Sequence, residues 1–327
     1  MTVGPDDLLR LPYDDSLTLA GVTYVCRSLD HCYGRQGRPS ASHLRHVVAD
    51  LAAELALRRW LDVQGAPYGL LDDAPFTQPG RVRLLLGGRP LRIQTTVISR
   101  REHIRLLRRE PACLLEGEAF QAVTDDPFER AGESDLLAFV VLAALETRNW
   151  RELRSALAAG QPSHLLGLPP SPAWVRPPSH RSLGRLVLEN LGPEAVDLEV
   201  AGRSPSQHFW TDHFKLGPDR AAELPVDLQR LLSLHAAFPP EGPLKVRSPD
   251  AGLSWRVPPG SWINLWIYGL EIFLAGWATV GEFRRQALPI PKAGGGSSQQ
   301  PPARAALALP FRRLRPMHHL TARLRQG

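Results

Sequence analysis

Lysine is almost missing from this chain: of 39 basic residues only Lys215, Lys245 and Lys292 are lysine, and the rest are arginine. The chain is also rich in alanine, leucine and proline, so the bias reads as GC-rich coding, and arginine number alone argues for no anionic partner. Cysteine is equally sparse. Cys26, Cys32 and Cys113 are an odd set with no Cys-x-x-Cys pair, which excludes a disulfide scaffold and fits a reducing cytoplasm. The N-terminus carries Asp6 and Asp7 and no apolar h-region, so no secretory signal is expected. Only residues 262–280 form a long apolar run. Asn264, Glu271, two glycines and three scattered tryptophans interrupt it, so it reads as two buried strands meeting at Gly269 and not as a membrane helix.

What is present is ordinary globular usage, with 43% hydrophobic and 22% charged residues over 327 positions, ample for a core and long enough for two domains. The formal charge of +6 is unevenly placed. Residues 284–327 hold nine basic residues and no acid, so removing nine from 39 leaves 30 basic against 33 acidic in the body. The body is slightly acidic and the positive charge lies in the tail. Such a tail can contact nucleic acid, an acidic protein or an anionic surface, and it also reads as plain solvated chain.

Periodicity predicts an α/β order in residues 1–160. Residues 19–26 read as a short strand. Ser40 or Ser42 is placed to cap a helix whose stripe is Leu44, Val47, Val48, Leu51, Leu55 and Leu61. A hairpin over 82–98 turns at Gly87-Gly88, and 99–110 return to helical spacing with Arg101, Arg105 and Arg108 on one side and Ile104 and Leu107 on the other. Strands at 119–123 and 136–142 and a helix at 147–159 follow. Residues 161–180, rich in proline around Trp174, read as a stiff connector. Residues 181–290 carry short strands in the manner of an antiparallel sandwich, with one helix at 227–237 and a closing helix at 280–288. Residues 291–327 read as a flexible linker and a basic tail bearing Arg312 and Arg313, whose leucines could dock it back on the body.

The helix with Glu54, the Tyr68-Gly69 approach, the hairpin and a second strand running into Thr95-Thr96 together resemble the PD-(D/E)XK nuclease-like core. The resemblance covers roughly residues 20–145. It implies a restriction-endonuclease-like mixed sheet with flanking helices. In that family two hairpin acids hold Mg²⁺ and a lysine two residues after the second helps activate water. Carried across, those positions fall on Arg83, Arg92 and Gln94, and only the helix acid survives, as Glu54. Guanidinium groups cannot ligate a hard cation and would repel it. The nearest other acids, Asp72 and Asp73, precede the hairpin, and no acid lies between Asp73 and Glu102. An ordinary amphipathic hairpin, with a structural arginine paired to Glu54, reads the same residues without any lost site.

Other constellations carry less. His43 and His46 lie three apart on the helix and His208 and His213 flank Phe209-Trp210, but neither pair has the third and fourth ligands a zinc site needs. No Gly-x-Ser-x-Gly elbow, phosphate loop or dinucleotide fingerprint occurs. Trp262, Asn264, Trp266 and Tyr268 alternate onto one strand face, which could stack a base and reads better as core. The sequence therefore predicts an α/β nuclease-like domain joined to a β-rich domain and a basic tail. The expected role is a non-catalytic binding or scaffolding protein in the cytoplasm, without a metal, with DNA or RNA as the candidate partner through Arg83, Arg89, Arg92, Arg101, Arg105, Arg108, Arg312 and Arg313. Two rivals stand beside it. One is an Mg²⁺-dependent nuclease with ligands drawn from Glu54, Asp72 and Asp73; the other is a protein-binding adaptor with no nucleic-acid role. Neither reading involves a membrane.

Overall fold

The computed structural model describes residues 2–33, 38–71, 84–122, 128, 130–175, 177, 182–290 and 306–324. It is a mixed α+β structure in two compact units, and both are discontinuous in sequence. The first unit takes residues 1–21, 49–146 and 268–327, and the second takes 22–48 and 147–267. The sequence suggested contiguous blocks divided near residues 160, 180 and 290. Contiguity fails because 22–48 folds with the later residues and the chain from 268 returns to the first unit. No helix among the described residues is long and apolar enough to cross a membrane.

A six-stranded mixed sheet organises the first unit, in the order Leu9–Pro12, Ile267–Thr279, Leu136–Glu146, Arg89–Ile98, Leu84–Leu86, Tyr68–Leu70. The hairpin forms as the glycine pair requires, with Gly87 at φ 54° and Gly88 at φ 71°, a conformation that residues with a Cβ resist. Arg89–Ile98 then runs parallel to Leu136–Glu146. Parallel neighbours need a crossover, and the helix Arg101–Arg109 lies in it. The sequence Leu-Leu-Ala-Phe-Val-Val-Leu-Ala-Ala has no polar alternation because nearly every residue of that central strand is buried, on both faces. Leu137, Phe139 and Val141 meet Ile104, Leu107, Leu114, Phe273, Phe283 and Phe311 in one core.

The apolar run at 262–280 is where reading and structure part most instructively. The strand Ile267–Thr279 passes straight through Gly269, and a Cβ there would sit 2.1 Å from the Tyr13 ring, so the glycine makes room for an aromatic rather than ending a strand. At Gly276, φ is +145° and a Cβ would lie 2.8 Å from Leu314 Cβ. Immediately beyond it, Trp277 and Arg315 exchange backbone hydrogen bonds. The predicted tail is thus built into the unit over 306–324. Ala306–Pro310 pairs with both Leu288–Ile290 and Glu118–Ala122, and Phe311, Leu314, Met317 and Leu320 are buried. The expected flexible linker at 291–305 lies outside the described residues.

The second unit contains two antiparallel sheets. Five strands run Phe209–Leu216, Val196–Arg203, Arg230–Ala236, Leu165–Gly167, Ile263–Asn264; four run Ala221–Glu223, Val187–Asn190, Leu244–Ser248, Leu253–Val257. Two expectations need correction here. The segment expected as a helix at 227–237 is the strand Arg230–Ala236, whose central Leu-Leu-Ser-Leu is buried throughout, and a short apolar run has no period to separate helix from strand. The proline-rich connector is part of the fold: Leu165–Gly167 is a strand, Pro172–Val175 a helical turn, and Leu165, Leu166, Trp174 and Val175 are buried. A third correction concerns residues 19–26, which belong to the helix Asp15–Arg27. Leu17, Val22 and Val25 are buried on its inner side, a pattern that β-branched Val and Thr disguised. The long helix is Ala41–Val63, opened as expected by Ser40, whose Oγ accepts from the His43 amide at 3.1 Å.

Candidate nucleic-acid interface

The degenerate nuclease positions separate in space. Arg83, Asp72 and Asp73 lie outside the described residues. Arg89 leaves the hairpin by donating to the Ser134 carbonyl, 2.7 Å from its Nε. Arg92 and Gln94 are half-buried and pair in register with Leu137 and Phe139, so they share the sheet face of the core that Ile104 and Leu107 help to build. Glu54 is buried on the helix Ala41–Val63, with Arg58 one turn on at 3.9 Å, and no buried residue of that helix belongs to that core. Among the described residues, no group of three or more His, Cys, Asp or Glu side chains is arranged to hold a metal ion.

Arg101–Arg109 is the clearest charged surface. Ile104 and Leu107 point inward, at 4% and 1% exposure, and Arg101, Arg105, Arg108 and Arg109 stay exposed, as their spacing predicts. Arg108 and Arg109 fall in the last turn, where the helix dipole favours cations. The chain continues into the turn Pro111–Glu116. Its next residue, Gly117, accepts at its carbonyl a hydrogen bond of 3.1 Å from the Phe311 amide. Phe311 is buried in the same core, and its neighbours Arg312 and Arg313 are exposed. The helix, that turn and residues 311–313 together carry six exposed arginines against three exposed glutamates, Glu102, Glu110 and Glu116. Three other tail arginines are paired with acids. Arg284 and Arg285 pair with Glu133 at 3.2 and 3.4 Å, and Arg315 pairs with Glu282.

Behind this surface lies a group that sequence reading missed. Glu271, on the strand Ile267–Thr279, is 5% exposed. Its Oε1 accepts from Arg108 Nε at 3.0 Å and from Arg10 NH2. Arg10 comes from Leu9–Pro12, where the register Arg10↔Phe273 and Pro12↔Glu271 makes Arg10 and Glu271 diagonal neighbours on one face. Glu271 Oε2 is buried and has no hydrogen-bond partner among the described residues. Positions 10, 108 and 271 share no sequence spacing. The only available signal was an acid within an otherwise apolar run, which a buried strand accepts only when the charge is paired.

The second unit holds a polar chain of another kind. Cys26 Sγ lies 3.2 Å from His164 Nε2, the His164 ring stacks on His235 at 3.7 Å, and His235 Nδ1 lies 3.1 Å from Glu199 Oε2. Thr211 Oγ1 donates to the other oxygen of Glu199 at 2.7 Å. Burial pushes the Cys26 thiol up to about 12, and burial together with the neighbouring His235 pushes His164 down to about 3. The His235 hydrogen bond, helped by Thr211, holds Glu199 down at about 2. At neutral pH the thiol and His164 are uncharged, so Cys26 lacks the thiolate a nucleophile needs. Around the same site Asn264 accepts from the His164 and Trp266 amides at 3.0 and 3.1 Å and donates to Thr147 Oγ1 at 2.9 Å. Trp262 and Trp266 are buried beside it, the core role the sequence favoured. The sequence's histidine pairs, His43 with His46 and His208 with His213, are all exposed.

No protein-family model, no curated protein and no solved structure matches this chain.

Proposed function

We propose that this chain is a non-catalytic binding protein that contacts the phosphate backbone of nucleic acid through its first unit, on a core resembling the PD-(D/E)XK fold. One observation carries the binding reading: the exposed arginine face of Arg101–Arg109, continued by Arg312 and Arg313. Arginine forks match phosphate oxygens two at a time, and a row of them follows a backbone without reading its bases. The resemblance is supported by the order of elements in the mixed sheet, in which a hairpin strand runs parallel to the next strand across a connecting helix. The non-catalytic part rests on chemistry, because Arg92 and Gln94 offer no charged oxygen where hydrolysis would need carboxylates.

The test is a titration of labelled random-sequence duplex DNA across a salt series. The wild type binds with a steep negative salt slope, and the double variant Arg101→Ala, Arg105→Ala binds about tenfold more weakly with a slope shallower by about two. Absence of salt-dependent binding overturns the proposal in favour of a protein-binding adaptor. Cleavage of supercoiled plasmid with Mg²⁺, abolished by Glu54→Ala, overturns its non-catalytic half.

A further inference from the structure

We infer that Arg10 and Arg108 form a two-pronged clamp for one backbone phosphate, with Glu271 as the positioning residue that aims both guanidinium groups. The inference rests on the nucleic-acid reading above and adds to it a specific pair of forks and the acid behind them. Both arginine side chains are about half exposed, at 50% and 55%, whereas the Glu271 side chain that joins them is 7% exposed. Two cations on one buried carboxylate leave a local charge of about +1. Each guanidinium carries five N–H donors and makes one hydrogen bond to Glu271, so most donors remain for a ligand. Fixing an arginine costs side-chain entropy, and here the ion pair to a strand-borne acid supplies that ordering before any ligand arrives.

The carboxylate geometry argues for a missing partner. Both arginines converge on Oε1, and Oε2 stays buried with no hydrogen-bond partner among the described residues. A purely structural ion pair at this depth would be expected to satisfy both oxygens, since an unmet buried acceptor is costly. A bound phosphate would engage the outward donors and let either guanidinium turn a second N–H toward Oε2.

Glu271→Gln separates positioning from simple attraction because the two predict opposite signs. The substitution removes a negative charge, so if the surface acts only through its net charge the duplex binds as tightly as before or more tightly. If Glu271 aims the clamp, affinity falls about tenfold and the salt slope becomes shallower by about one. Because Glu271 is buried, Arg10→Lys and Arg108→Lys are measured beside it. Each keeps its charge on an exposed side chain but loses the fork, and each is expected to weaken binding several-fold. Wild-type binding with the Gln and both Lys variants unchanged or tighter overturns the clamp and leaves the arginine face standing. A wild type that shows no salt-dependent binding overturns both.

Discussion

The arginine surface of the first unit and the Cys26–His164–His235–Glu199 chain of the second are both polar groups joined by hydrogen bonds, yet burial gives them opposite characters. On the first unit half of each guanidinium-bearing side chain is in water, and a single buried acid orders two of them. In the second unit the loss of water keeps Cys26 and His164 neutral, while Glu199, accepting from His235 and Thr211, keeps its charge. Charge held at a boundary is available to a partner; polarity taken inside is spent on holding the fold.

If that division is right, the largest effect of a single truncation belongs to the second unit. Asn264→Ala removes the acceptor for two amides and the donor to Thr147, two of these three bonds being fully buried, and should cost about 3 kcal/mol in denaturant unfolding. A loss below about 1 kcal/mol would mean the amide is not what ties these segments together.

Acid sharpens the comparison next. His164 has its folded value depressed from 6.5 to about 3, so the unfolded chain binds the proton first. Its contribution is present above pH 6.5 and is lost as pH falls toward 3, on the order of a few kcal/mol. Glu199, lowered from 4.5 to about 2, adds a smaller loss of the same sign below pH 4.5. A melting series should therefore fall on acidification below about pH 6.5, and His164→Gln should flatten that fall. A wild-type profile already flat between pH 7 and 4 would break the argument.

The smallest expected effect is an absence of reaction. Native protein treated with iodoacetamide near neutral pH should leave Cys26 unmodified, and unfolding in denaturant should release it to ordinary thiol reactivity. Rapid native labelling of Cys26 would place a thiolate there and turn the chain into a candidate nucleophile site.

Short-range patterns were legible in the sequence. The Gly87-Gly88 turn, the Ser40 cap and the split of Arg101–Arg109 into an arginine side and an Ile104–Leu107 side all follow from local backbone and burial rules. Reading failed where apolar runs lost their period, as in Arg230–Ala236, and where a glycine served a neighbour rather than a turn, as Gly269 serves Tyr13. Both polar groups were illegible for one reason: Arg10, Arg108 and Glu271, like Cys26, His164, Glu199 and His235, come together only through strand register and packing. The arginines of the tail illustrate the limit of counting charge. Their number was visible, but that Arg284, Arg285 and Arg315 are tied to acids while Arg312 and Arg313 are exposed without an acid partner among the described residues was decided by the fold.

The Val3 amide donates to the Arg312 carbonyl, and Glu118–Ala122 finds its neighbour in Ala306–Pro310. These partners lie some three hundred and some two hundred residues apart in the sequence, so completing the first unit requires closing loops of that length. Such long loops are slow to close. A fragment cut at residue 160 would carry the central strand Leu136–Glu146 without its neighbour Ile267–Thr279, and Glu118–Ala122 without Ala306–Pro310.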